Sequence, residues 1–533
     1  MRAFVPLAAV CSCAAARAPT YNQQPLPRGV GMDRPLVSAR HAIVRVLNPI
    51  LCVTLCCGVL AVPIESSAQV VTPKTLPVLQ GGQFDMFPSA RAGMGGTTIA
   101  VDDTLLDPFV NPAKATRIGV SHIFAAPFFH SVSGARGGGR SLPVGAGGSW
   151  GAWSATGLFT FQQLDRAGPT WNLSTSDRSA FNQYVAGSIA RRLTPSTSVG
   201  LGVQLAALDA IDGVDLLYAG SDRIEQSGSL ADFRFGLTKE VGTDRHLEVM
   251  LVHSRTDMRH DVRFTTWRWD PVARRNIREQ RTDLNQDRTH IWGLHSEYSR
   301  PVGSEGWHLG WLGTVNRLSH PRIPNYVIQN IPRDPGTTYS FNAGAGIGRS
   351  VRGTSFAADL IYEPMFADTW ADAATETAVI GGGTIKAGAK TVENTFRFAN
   401  IKMRLGAGRD IVIRREGSTV LGYQVGLGLY AINYRLQQAN HVQRTFRTQR
   451  EDWVEWSPTL GLRLRSRDLD VLYNFSLTCG PGACGQTQGG GQVFGTPDIL
   501  RTAGGIIAAP SGELFMQSGT LKIHKLTILL PVR

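Results

Sequence analysis

A serine set between glycines, two late cysteines and a run of arginines are the residues here whose types and spacing could do chemistry. Gly147-Gly148-Ser149-Trp150-Gly151 matches the G-x-S-x-G pattern of a serine nucleophile. That chemistry needs a sharp strand–turn–helix elbow to present the hydroxyl. These five residues instead enter a Trp-rich strand pattern with no helical periodicity behind it, so no catalytic residue is expected. There is no H-E-x-x-H, no Walker loop and no G-x-G-x-x-G opening a helix. His122, His295 and His308 stand singly on strand patterns. A barrel lipase would bring Ser, His and Asn together on neighbouring strands, which spacing alone does not test. Of seven cysteines, Cys11, Cys13, Cys52, Cys56 and Cys57 fall in a leader, leaving Cys479 and Cys484 in Cys-Gly-Pro-Gly-Ala-Cys. The Gly-Pro-Gly spacer permits a tight loop and a disulfide in an oxidising compartment. A zinc site would need two further ligands nearby, and the local sequence has none. No metal and no cofactor are expected.

Net charge is +13, from 54 basic and 41 acidic residues. Residues 255–288 read as a long polar loop holding Arg263, Arg268, Arg274, Arg275 and Arg278 beside Trp267 and Trp269. A second basic loop carries His441, Arg444, Arg447 and Arg450. Guanidinium forks bind phosphate bidentately, so such loops could grip lipopolysaccharide phosphates or capture an anionic substrate. The plainer alternative is a solvated loop in an arginine-biased chain. Nucleic acid fits the charge but sits badly with export.

Arg40, His41 and Arg45 precede the apolar run 46–64, which ends in Glu65-Ser66-Ser67-Ala68-Gln69. This is the layout of a secretory signal peptide cut after Ala68, with Met32 a candidate start. Beyond it no run approaches the roughly 20 apolar residues of a spanning helix. Mean hydropathy is −0.08 and glycine numbers 59, which suits twisting strands.

From Ile118 onward period-two alternation dominates. Val199, Leu201, Val203 and Leu205 alternate with Gly200, Gly202 and Gln204; Leu421, Tyr423, Val425 and Leu427 alternate with Gly422, Gln424 and Gly426. Many segments run ten residues or longer, close to the ~9–11 that cross a bilayer at a tilt. Trp150 with Trp153, Trp307 with Trp311, and Trp453 with Trp456 stand near segment ends, as interfacial girdles do. Short turns near Pro195, Gly242, Gly303, Arg352, Arg414 and Arg467 alternate with long polar connections. With a further short turn over 143–148, the count is about 16 antiparallel transmembrane strands, 14 being the alternative, with both ends periplasmic. Lumen-facing charge is expected at Arg234, Glu297, Asp359, Glu363, Arg397, Arg463, Arg465 and Asp470.

One stretch ahead of the strands does not alternate. Residues 89–113 hold Gly93, Gly95 and Gly96, then Asp102 and Asp103, then Asn111, Pro112 and Ala113. In that order and spacing they resemble the N-terminal signature of the long-chain fatty-acid transporter (FadL-like) superfamily. They are also similar to the related PorV-like barrels that act as scaffolds in protein secretion. Thr97-Thr98 and residues 105–110 are bulkier than that signature, and the family's usual count is 14 strands. The resemblance implies an all-β outer-membrane barrel closed by an N-terminal plug: leader 1–68, plug 69–117, barrel 118–533. In the transporter branch it implies uptake of a hydrophobic small-molecule ligand from the outer-membrane lipid; in the other branch it implies a secretion-system partner. The glycines, acidic pair and Asn-Pro-Ala turn are then gating or plug-packing residues.

Overall fold

The computed structural model describes residues 74–75, 79, 82–133, 137–165, 179–212, 223–242, 244–303, 306–320, 336–373, 375–414, 419–483, 513–514 and 516–532. The leader lies outside these residues. The wall begins with β1, which runs in two pieces, His122–Ala125 and Phe128–Val132. Both pieces pair with the same two neighbours, so seventeen strand pieces make a wall of sixteen strands. The others are β2 (Gly138–Trp150), β3 (Trp153–Asp165), β4 (Ser179–Thr194), β5 (Thr197–Leu208), β6 (Arg223–Glu240), β7 (His246–Asp270) and β8 (Arg275–Pro301). They continue with β9 (Trp307–His320), β10 (Gly336–Val351), β11 (Thr354–Asp372), β12 (Lys390–Arg414), β13 (Thr419–Asn440), β14 (Thr445–Arg465), β15 (Asp470–Ala483) and β16 (Gln517–Pro531). Each pairs antiparallel with its sequence neighbour, and β16 closes on β1.

Alternation sets the two faces. Phe161, Phe181, Leu201 and Leu360 each expose more than half of their surface, while Thr160, Asn182, Asp359 and Ile361 between them are buried. A closed antiparallel wall that turns a continuous apolar face outward has the form of an outer-membrane barrel, the one way a sheet can cross lipid with no free edge.

Three expectations are corrected. The segment 143–148 is not a turn: it lies inside β2, and the chain reverses at Gly151, which has φ +59°. Pro143 survives mid-strand because its missing N–H faces the interruption of β1, where its carbonyl accepts from Ala126 N at 2.8 Å. Residues 255–288 and 436–455 are not loops. Their backbones stay paired up to tight turns at 271–274 and 441–444, with Arg274 and Arg444 at φ +46° and +56°. Ladder pairing needs backbone amides, not an apolar face, so polar residues carry it into solvent beyond the bilayer. Finally, Trp453 points inward and is 5% exposed, whereas Arg397 lies on the outer face against Phe366 and Asp368.

Candidate functional site

Residues 82–117 lie inside the wall, reaching from the start of the long connection after β5, where Gln83 donates to the Ala210 carbonyl at 2.9 Å, to the short-turn end, where Thr116 bonds Ser198 at 3.0 Å. They hold little regular structure: short 3-10 helices at Ala92–Met94 and Pro112–Arg117, and one helical turn at Asp107–Val110. Asp103 is the internal staple. Its carboxylate accepts from Ser89 Oγ at 2.6 Å, from the backbone N–H of Ala90 and Arg91 at 2.9 and 3.2 Å, and from Leu105 and Leu106 at 3.1 and 3.2 Å. Asp102 beside it does other work. Its half-exposed carboxylate lies 3.1 Å from Arg117 and 3.7 Å from Lys114. Asn111 accepts from Ala113 N at 3.1 Å, so its side chain caps the turn that Pro112, at the first helical position, pre-sets. Ala113 is fully buried.

The plug backbone sits in notches left by inward-facing wall glycines. A side chain at Gly93 would meet the backbone of Gly461 at 2.6 Å, and one at Gly95 the Leu405 carbonyl at 2.7 Å. Gly95 and Gly96 also take φ +69° and +72°, where glycine alone is unstrained. Conversely, a Cβ on Gly426 would meet Gly95 N at 2.1 Å, on Gly310 the Ile99 carbonyl at 2.3 Å, on Gly200 the Pro112 carbonyl carbon at 2.5 Å, and on Gly236 the Asn111 Oδ1 at 2.0 Å. Wall side chains then satisfy the plug's backbone, which would otherwise be orphaned. Gln424 donates to the Ala90 carbonyl at 2.8 Å, Arg404 to Gly96 at 3.0 Å, Arg192 to Thr116 at 3.0 Å, and Arg234 to both Phe109 and Val110 at 3.1 Å. Thr459 donates to the Gly93 carbonyl and accepts from Gly95 N, each at 2.9 Å.

An ionic knot ties the plug to β7 and β8. Lys114 Nζ lies 2.8 Å from Glu248 and 3.2 Å from Asp107, and Asn111 donates to Glu248 at 3.2 Å. Burial works against the charged amine, but Asp107 and Glu248 outweigh it and raise its pKa. Burial pushes Asp107 up to about 8; Lys114 opposes that shift, while Asp102, Asp103 and Glu248 add to it. Glu248 and Glu297 are direct cross-strand neighbours on the inner face, so Lys114 stands where two wall carboxylates meet.

The eight plug residues named from sequence all lie inside the wall but do not form one cluster: Gly93 and Gly95 seat against β12–β14, and Asn111, Pro112 and Ala113 against β5–β7. The outer arginines lie apart from them. Arg263 lies on β7, Arg274 is in the hairpin turn, and Arg275 and Arg278 are exposed on β8; Arg268 belongs to β7. Cys479 has a free thiol on β15, and Cys484 lies outside the described residues. Ser149 stands on β2 and shares a 2.8 Å hydrogen bond with Ser154; no helix follows it. Sequence reading missed Lys114, Glu248, Gln424 and Thr459. The glycines on the inner face of β13 were visible as the small half of the alternation, and they mark where the plug would seat.

Two apolar clusters stand on the inner face among buried polar side chains such as Asn316, Asn342, Glu363, Asn394, Asn400 and Glu451. Met365, Phe396, Phe398, Ile432, Tyr434, Leu436 and Trp453 form one buried cluster on β11–β14. Phe124, Phe128, Leu158, Tyr184, Leu208, Ile224 and Met258 form another with Met86 and Phe109 of the plug. Leu514 packs against both.

No family model and no curated protein matches the chain. Among solved structures, a Pseudomonas aeruginosa FadL homologue is 11% identical, covering 84% of this chain and 99% of its own, with a TM-score of 0.39. The CymD monoaromatic hydrocarbon channel is 10% identical, covering 86% and 99%, with a TM-score of 0.36. The ferric-catecholate import receptor Fiu of E. coli K12, also 10% identical, covers 77% and 82% with a TM-score of 0.36. At these identities and scores the likenesses carry no argument of their own. The barrel assignment rests on the closed strand ladder and its outward apolar face.

Proposed function

We propose that the protein carries a hydrophobic or amphipathic small molecule across a Gram-negative-type outer membrane, with the plug as the closed gate. The observation that supports this most is the pair of apolar clusters on the inner face of the wall. Phe396, Phe398, Tyr434 and Trp453 pack ring against ring, with centroids 5.4–6.2 Å apart, a surface that an apolar or aromatic ligand can share. Leu514, touching both clusters, stands where an apolar ligand would bridge them.

The plug closes the route at the short-turn end through the staple, the glycine notches and the ionic knot. Passage then requires these contacts to rearrange while the wall stays closed. The test is binding of an aromatic hydrocarbon and of a long-chain fatty acid to purified barrel, with uptake into loaded vesicles. Trp453→Ala and Phe396→Ala should each weaken binding by about tenfold, since each removes an aromatic contact face worth on the order of 1.5 kcal/mol. If neither probe binds the wild-type barrel and removal of the protein leaves uptake unchanged, the proposal fails.

A further inference from the structure

Three tryptophans stand on the outward face of the wall at its short-turn rim. Each carries an arginine from the neighbouring strand over its ring. Arg191 lies 5.2 Å from the Trp153 ring centroid, Arg300 5.5 Å from Trp311 and Arg349 5.6 Å from Trp307. Two of the pairs are direct cross-strand partners, Trp153 with Arg191 and Trp307 with Arg349. The third is diagonal, because Tyr298 lies opposite Trp311 and stacks on it at 6.1 Å. Just above them, in the same outward register, come Ile189, Val185, Ile347 and Val315 of the apolar belt.

The cation–π contact holds each guanidinium beside its ring on the outer surface of the wall. Arg191 and Arg300 have no carboxylate in ion-pairing reach among the described residues. The opposite rim differs. There Arg397 lies over Phe366 but is paired with Asp368 at 3.2 Å, and Lys390 lies over Trp370 but is paired with Glu393 at 3.1 Å. Cations on aromatic rings therefore occur at both rims. At the short-turn rim two of the three have no counter-charge among the described residues, beside the apolar belt.

We infer that these Arg–Trp pairs are headgroup sites for the phosphodiester of glycerophospholipids in the leaflet that surrounds the short-turn rim. The phosphodiester would accept from the guanidinium edge while its acyl chains lie along the adjoining belt and the indole fills the interfacial layer between. The ligand class follows from charge and shape together: one negative group, two acceptor oxygens and an apolar tail directly beside it.

The test is native mass spectrometry of the whole barrel released from micelles doped with phosphatidylglycerol or, in parallel, with diacylglycerol. Wild type should retain phosphatidylglycerol and not diacylglycerol. At roughly 1 kcal/mol per surface arginine, each of Arg191→Gln, Arg300→Gln and Arg349→Gln should weaken lipid binding at its own site about fivefold, and the triple variant should weaken it about fivefold at all three. Arg397→Gln, on the opposite rim, should leave retention unchanged and shows that any loss is local. Heat-modifiable gel mobility confirms that each variant is a closed barrel. Arg→Lys at the three sites keeps the charge without the stacked fork and should retain an intermediate amount, which keeps the inference testable if the Gln triple does not fold. Equal retention by wild type and whichever triple variant folds would overturn it. Displacement of the lipid by inorganic phosphate alone would also overturn it, by assigning the sites to a soluble anion.

Discussion

Replacing Gly236 with alanine tests whether the plug is held by the wall's inward glycines. The added Cβ would fall 2.0 Å from Asn111 Oδ1 and 3.1 Å from both Asn111 Cγ and Ala113 N. Ordinary contact lies near 3.5 Å, so the carboxamide must move by more than an ångström. Moving it breaks its bonds to Ala113 N and Glu248, 3.1 and 3.2 Å long. Overpacking costs about 1–3 kcal/mol, and each lost hydrogen bond about 1 kcal/mol. Together they weigh roughly 3–5 kcal/mol against the docked plug, which raises the undocked fraction roughly 150- to 5,000-fold. Leak of small solutes, read as conductance in planar bilayers or as swelling of proteoliposomes, should rise accordingly. Gly313→Ala is the control, because nothing lies within 4 Å of its added Cβ. A Gly236→Ala barrel that inserts normally, resists heat as wild type does and leaks no more would refute the notch reasoning.

The two acidic neighbours should separate sharply. Asp103→Ala removes the acceptor of four backbone amides and a hydroxyl, leaving only Arg91 N with another partner, Ser89 Oγ, and should open the leak at least as far as Gly236→Ala; Asp102→Ala, at a half-exposed side chain, should do much less. Asp107 should make plug seating pH-dependent. Its folded pKa of about 8 lies above the ordinary 3.8, so the docked state holds a proton that the free carboxyl releases. That contribution is fully present below about pH 4 and is lost as pH rises through about 8. Hydrogen exchange of residues 89–117 should therefore speed up from about pH 6 to about pH 9 beyond its intrinsic trend. In Asp107→Asn the excess should vanish; an unchanged excess in that variant would exclude this carboxyl as its source.

Much of this architecture was legible because a lipid-facing wall writes period two into the sequence. Phe233 and Phe235 outside, with Asp232 and Arg234 inside, could be read residue by residue. Sixteen strands followed from counting turns, yet one counted turn was misplaced. Pro143 reads as a breaker, and only the break in the partner strand at Ala126-Pro127 explains why it is not. The long polar hairpins were invisible as strands, since outside the bilayer nothing selects an apolar face. At the candidate site the glycines, the acidic pair and the Asn-Pro-Ala turn were visible as one stretch because they are contiguous. Lys114 and Glu248 were not, because they lie 134 positions apart and their meeting depends on how the plug folds back against the wall, a relation no local pattern records.

The closure of the wall orders its assembly. Every pairing but one family joins strands adjacent in the chain; the exception is the seam between β1 and β16, zipped over two short ladders on either side of Ala126-Pro127. Neighbouring hairpins close small loops and form early, whereas the seam closes a loop of nearly the whole chain. Gly95, ahead of all the strands, bonds to Thr459, 364 residues downstream. Its seat therefore exists only once β14 has been laid down, so the plug, first in the chain, is among the last parts to be fixed in place.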